Sequence, residues 1–122
     1  MPAVAWGVVE LEPEVAEWLR GLADDEFGRV EFYIDLPAER GVGLDEPYTR
    51  RLSGKLRELR FYLGAAGQAV RISYCIVSGR RIVLLTVFSK QRRRERGEIA
   101  RAMRAMKRCI VEGHTAEEDP RD

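Results

Sequence analysis

The sequence predicts an α+β domain with a mainly antiparallel sheet, made of an N-terminal strand plus a three-stranded meander. An N-terminal αα-hairpin packs on one face of that sheet, and a helix closes the chain. Two patterns and the length carry this prediction. Three strand-like runs between Leu56 and Lys90, two alternating at the strand period and the third continuously apolar, are parted by glycine-bearing turns. Two stretches between Pro13 and Leu36 space their apolar residues at the helical period, as does the stretch from Ile99 to Ile110. A chain of 122 residues is long enough for one proper core and suits one domain. That domain is placed at residues 1–112, with 113–122 read as an acidic, flexible tail.

Taken in order, Val4, Trp6 and Val8 alternate loosely and predict a first strand over Val4–Leu11. Glu12-Pro13-Glu14 then starts a helix, because proline suits the first turn and acids there meet the positive end of the helix dipole. Val15, Trp18, Leu19 and Leu22 form one apolar stripe, so Trp18 reads as core. A second helix begins near Asp24, with Asp24 or Asp25 as its cap. Phe27, Val30 and Ile34 share its inner face, Phe32, Tyr33 and Leu36 add apolar bulk, and Pro37 kinks or ends it. Residues 41–47 are a loop by composition, and Arg50, Arg51, Lys55 and Arg57 lead into the meander.

Within the meander, Leu59, Phe61 and Leu63 share one face, and Glu58, Arg60 and Tyr62 share the other. Val70, Ile72, Tyr74 and Ile76 alternate with Arg71, Ser73, Cys75 and Val77. If the apolar sets pack on the helices, Arg60 and Arg71 point to the opposite, open face. Ser78-Gly79-Arg80 is a hairpin turn, and the run Ile82 to Phe88, apolar on both faces, is a central strand. Ile99, Ala102, Met103, Met106 and Ile110 form the apolar stripe of the last helix, with Arg101, Arg104, Lys107 and Arg108 around it. Gly113 ends that helix.

Charge is divided along the chain. Residues 1–46 carry 3 Lys/Arg against 12 Asp/Glu, and residues 47–110 carry 17 against 3. A basic middle after an acidic start suits a polyanionic partner, or else a solvated basic face balanced by the acidic segment. There is no apolar run long enough for a membrane span and no signal-peptide pattern, so the cytoplasm is expected. Cys75 and Cys109 read as free buried thiols. The single histidine, His114, sits in the tail, and the basic middle holds only Glu58, Glu95 and Glu98. No metal site, nucleophile–base pair or phosphate-cradling glycine loop is expected from these residues, and no cofactor.

The cations are what remain. Arg60, Arg71 and Lys90 fall on or at the end of strands, and Arg92, Arg93 and Arg94 follow at once. Arginine grips phosphate with a fixed fork of donors, and lysine adds a point charge. Tyr62 and Tyr48 can stack on unpaired bases, and Arg57, Arg94 and Lys55 can add RNA contacts. On the residues alone, the reading of Arg60 and Arg71 as solvated outer-face residues of a half-exposed sheet outweighs the phosphate-binding one.

A resemblance changes this weighing. The order strand, two helices, meander, helix resembles the RelE/ParE toxin superfamily, and within it the phage Gp49-like or HigB-like branch. The matching motifs are Leu56-Arg57-Glu58-Leu59-Arg60-Phe61, Val70-Arg71-Ile72-Ser73-Tyr74, Val83-Leu84-Leu85-Thr86-Val87-Phe88-Ser89-Lys90 and Glu98-Ile99-Ala100-Arg101-Ala102. The resemblance implies the toxin of a type II toxin–antitoxin pair. That toxin is a metal-independent endoribonuclease cutting messenger RNA in the ribosomal A site. It also implies a cognate antitoxin from the neighbouring gene, of the helix-turn-helix type. The family's phosphate-gripping residues map onto Arg60, Arg71 and Lys90. Gln91 stands where relatives often have a second lysine, and Arg94-Glu95-Arg96 replaces the usual threonine-proline, so Arg92 or Arg93 takes over the missing charge. The superfamily also holds ParE-like members that act on gyrase and cut no RNA, and a non-toxic nucleic-acid-binding domain is the third reading.

Overall fold

A computed structural model describes residues 6–89 and 95–111, with only the backbone of Glu95. The elements run β1 (Val8–Leu11), α1 (Pro13–Arg20), α2 (Asp24–Arg40), β2 (Thr49–Ser53), β3 (Leu56–Leu63), β4 (Gln68–Val77), β5 (Arg81–Ser89) and α3 (Glu95–Val111). The strands form one five-stranded sheet in the order β1-β5-β4-β3-β2. β1 runs parallel to β5, and every other pair is antiparallel. The α+β class, the meander, the αα-hairpin and the closing helix are as the sequence predicts. Among the described residues, no helix is long and apolar enough to cross a membrane.

The sheet separates two cores. On one face, α1 and α2 bring Val15, Leu19, Val30 and Ile34 against Leu59, Phe61, Ile72 and Leu84. Each such fully buried side chain contributes about 1.5–3 kcal/mol. On the other face, α3 brings Ala102, Ala105 and Cys109 against Leu56, Cys75, Val83 and Leu85. A bulge serves both cores. Ser73 pairs with Thr86 but Tyr74 pairs with Leu84, so Leu85 is the extra residue and reaches the α3 side. Both cysteines are buried and free of disulfides.

Five expectations need correction. β2 is a fifth strand where the sequence showed only cations leading into the meander. Its residues, Thr49-Arg50-Arg51-Leu52-Ser53, lack apolar alternation because it is an edge strand, half of which faces water. Helix α2 continues through Pro37 to Arg40, since in the last turn proline removes only one helical bond, and Gly41 N–H closes that turn on Pro37 O. No side chain caps α2, whose N-cap is Ala23; Asp24 and Asp25 lie in the first turn instead. The buried stripe of α3 is rotated from the expected one. Small residues let the helix lie close to the sheet, while Met103 and Ile110 stay 41% and 38% exposed. The first strand is also shorter than expected: Trp6 and Gly7 form a bend and pairing begins at Val8, while Val4 itself lies outside the described residues.

Beyond β1, a pair of side chains replaces the missing neighbour of β5. Glu14 accepts from Val87 N–H at 2.9 Å, and Arg101 donates to Val87 O at 3.2 Å. Arg101 also pairs with Glu14 and with Glu98. Burial works against the Arg101 charge, but these two carboxylates outweigh it and raise its pKa above the ordinary arginine value.

Candidate nucleic-acid interface

α3 covers only part of its face of the sheet. The rest of that face carries Glu58, Arg60, Tyr62, Arg71, Ser73 and Thr86, placed by alternation and register. Arg60 and Arg71 are direct partners across β3 and β4, so they share a face as expected. Arg60 N–H donates to Tyr48 O at 2.8 Å, which turns its backbone donor away from β4. Arg60 and Arg71 are therefore a non-hydrogen-bonded pair, with Cα atoms about 4.5 Å apart and side chains close.

Like charges placed this way repel, and the structure gives each arginine its own carboxylate. Arg71 Nε lies 3.5 Å from Glu58 Oε1, and Arg50 Nη2 donates to Glu58 Oε2 at 3.0 Å. Arg60 Nη1 lies 3.8 Å from Glu46 Oε1. The two arginines differ sharply in exposure. The Arg60 side chain is 27% exposed, whereas Arg71 is 3% exposed. The expectation that both stand on an open face is thus corrected for Arg71. A buried guanidinium needs a partner, and Glu58, 1% exposed, supplies it. Arg71 also donates to the backbone carbonyl of Val70 at 3.1 Å.

Beside the pair lies a pocket of about 220 Å³ where β3 runs past the end of β2. Arg60, Arg71, Tyr62, Tyr48, Tyr33 and Phe61 line it. Tyr62 is 64% exposed. Tyr33 stacks on Phe61, with centroids 4.9 Å apart and planes 7° from parallel, and so is held rigidly at the pocket wall. Guanidinium forks beside flat rings offer the two contacts an unpaired nucleotide needs, one for its phosphate and one for its base.

The other expected residues are distributed differently. Arg57 points to the opposite face, donates to Leu44 O at 3.2 Å, and lines a separate cleft of about 340 Å³ with Arg50 and Arg51. Lys55 sits in the turn between β2 and β3, about 17 Å along the strand from Arg60. Lys90, Arg92, Arg93, Arg94 and His114 lie outside the described residues. Among the described residues, no three His, Cys, Asp or Glu side chains come together as around a metal ion.

Three residues of this region were missed in the sequence. Glu58 shares the strand parity of Arg60, and an acid at that position between cations is a readable sign of an ion pair. Tyr33 looked like helix core, and Glu46 like loop; nothing in their neighbours announces the pocket.

Comparison with known proteins agrees with this architecture. The family described as phage-derived protein Gp49-like matches residues 17–107. Among solved structures, a mutant of the E. coli toxin RelE in the free state aligns with a TM-score of 0.54 at 15% identity. The alignment covers 84% of this chain and 96% of that one. No curated protein matches the chain. With the family match spanning most of its length and the structural alignment covering nearly all of RelE, the chain belongs to the phage-derived Gp49-like family and has a RelE-like fold.

Proposed function

We propose that this protein is the toxin of a type II toxin–antitoxin pair, and that it cleaves messenger RNA in the ribosomal A site without a metal ion. The observation that carries the reading is the Arg60–Arg71 pair at a pocket walled by Tyr33, Tyr48 and Tyr62. Membership of the Gp49-like family and the toxin character of the RelE relative support it.

In this mechanism the ribose 2′-hydroxyl attacks the adjacent phosphorus in line, and the 5′-oxygen leaves. One proton must be accepted and one donated, and extra charge develops on the phosphoryl oxygens. Arg60 and Arg71 stabilise that charge, an effect of about 3 kcal/mol for a well-placed donor. Glu58 fixes the direction of the Arg71 guanidinium, so little reorganisation is needed when the phosphate arrives. Bringing an anion between two adjacent cations also relieves their repulsion. Lys90 follows Ser89, whose register partner Val70 neighbours Arg71, and it is assigned the role of base. Arg92 or Arg93 serves the leaving oxygen, and Tyr62 shares the proton transfers. Arg57, Arg94 and Lys55 then act as outlying contacts to the RNA backbone. The cognate partner is a helix-turn-helix antitoxin.

The test is inducible expression with mapping of transcript 5′ ends. Codon-phased cuts that disappear in Arg60→Ala are expected. Growth arrest with DNA-damage signalling and no phased cuts would favour a gyrase-directed toxin instead. Unimpaired growth without an antitoxin would favour a plain nucleic-acid-binding domain.

A further inference from the structure

The Arg60–Arg71 pair has a counterpart on the other face of β3. Arg51 of β2 lies directly opposite Arg57. Arg60 turns its backbone N–H toward β2, so Arg57, three residues earlier, turns its own toward β4. Arg51 and Arg57 are therefore also a non-hydrogen-bonded pair, with Cα atoms about 4.5 Å apart. Like charges set this close repel. Arg60, Arg71, Arg81 and Arg101 each face a carboxylate. Among the described residues, neither Arg51 nor Arg57 has one within ion-pair distance. Arg57 is instead held by donating to Leu44 O at 3.2 Å, through Nη2 alone. Arg51 is exposed and Arg57 half-buried.

Both arginines line the cleft of about 340 Å³, together with Arg50, Asp45, Glu46 and Val42. A cleft of this size is in the range of small-ligand sites. Arg50 is paired with Glu58. Asp45 Oδ1 accepts from Glu46 N–H at 2.8 Å, and Glu46 faces Arg60. The uncompensated charge in the cleft is thus that of Arg51 and Arg57. We infer that the cleft binds a nucleotide by its terminal phosphate, held between these two guanidinium groups. A phosphate monoester carries about −1.5 to −2 charge at neutral pH and three acceptor oxygens, which matches two cationic forks. A phosphodiester within a strand carries a single charge and would leave one arginine uncompensated. Asp45 selects a nucleotide over bare phosphate, because a carboxylate repels a second anion but accepts from ribose hydroxyls. Val42, 73% exposed, gives the base an apolar contact. The nucleotide is either free or the 5′ end of an RNA strand, since both present the same phosphate and ribose. The site goes beyond an outlying backbone contact at Arg57, and it stands apart from whatever chemistry the tyrosine pocket performs.

The experiment is heteronuclear NMR of the whole protein, following the guanidinium Nε–H signals of Arg51, Arg57, Arg60 and Arg71 as adenosine 5′-monophosphate is added. The Arg51 and Arg57 signals are expected to move with sub-millimolar affinity. Adenosine should leave them in place at millimolar concentration, and inorganic phosphate should bind there about tenfold more weakly. Arg51→Ala, at an exposed position and with unchanged urea midpoint, should weaken the nucleotide by about tenfold or more. A short RNA with a 5′-phosphate separates the two sources. Tighter binding than the mononucleotide assigns the site to an RNA end, and equal or weaker binding assigns it to a free nucleotide. The inference is overturned if Arg51 and Arg57 do not move, whether or not Arg60 and Arg71 do. It is equally overturned if adenosine or inorganic phosphate binds there as well as the nucleotide, or if the RNA binds there equally without its 5′-phosphate. None of these signals depends on transcript cleavage, so this site and the toxin reading fail separately.

Discussion

The two edges of this sheet are built in opposite ways. At one edge, β2 carries Arg50 and Arg51 and is tied back to β3 through Glu58. Where β2 ends, the exposed part of β3 opens into the pocket of Arg60, Arg71 and the tyrosines. At the other edge, β1 is apolar, its acid is neutralised by Arg81, and a groove beside it, lined by Glu31 and Asp35, is acidic. Cations on an edge strand discourage pairing with another strand and attract polyanions; an apolar edge beside carboxylates does the reverse. The division of charge in the sequence, acidic before residue 46 and basic after it, thus becomes a division of surfaces.

The largest test of this contrast is Glu58→Ala. Arg71 would be left buried without its carboxylate, and we expect a loss of about 3–5 kcal/mol in urea unfolding. Replacing Glu58 and Arg71 together by leucine should recover most of that loss, because no buried charge remains. If Glu58→Ala cost under about 1 kcal/mol, the Arg71 side chain would have to be more hydrated than its 3% exposure indicates. Arg60→Ala comes next. It should lower RNA cleavage by about 100-fold, while stability moves by less than about 0.5 kcal/mol, since the side chain is part-exposed and its ion pair long. At the opposite edge, Gly7→Ala should cost about 1–3 kcal/mol, because a Cβ there would lie 2.3 Å from Arg80 O and push β1 off β5. Exchange at the β1 amides should rise in that variant, with RNA cleavage unchanged.

The sequence revealed most of the fold and less of the site, and the reason differs by element. β3, β4 and β5 were legible because each buries one full face or two, so apolar alternation survives in β3 and β4 and a continuous apolar run in β5. β2 was not, because an edge strand of five residues buries little, and its one fully buried residue, Thr49, is polar. The α3 stripe is legible only in part: Ala102 and Met106 pack on the sheet as expected, but close helix–sheet packing selects Ala105 and Cys109 over Met103 and Ile110. Parity put Arg60 and Arg71 on one face, but period two carries no information on depth. That Arg71 is buried and Arg60 is not depends on Glu58 and the surrounding packing. Tyr33 arrives from a helix distant in sequence, and only the tertiary fold brings it beside Tyr62.

The smallest effect concerns how β2 is fastened to the core. Thr49 is fully buried and its hydroxyl donates to Glu58 O at 3.0 Å. A hydroxyl has one proton, so in its 2.7 Å contact with Tyr74 it must be the acceptor, and Tyr74 O–H the donor. Tyr74 lies in β4 with no exposure, two strands away, so this chain of hydrogen bonds spans β4, β3 and β2. Tyr74→Phe keeps the ring and removes the donor. It should cost about 1 kcal/mol, the net value of one such bond, and the Thr49→Val, Tyr74→Phe cycle should show coupling of similar size. Amide exchange should quicken in β2 and leave β1 as it was. Equal quickening at both edges would mean that Tyr74 supports the whole sheet, and the two edges would then be fastened by one core rather than each by its own contacts.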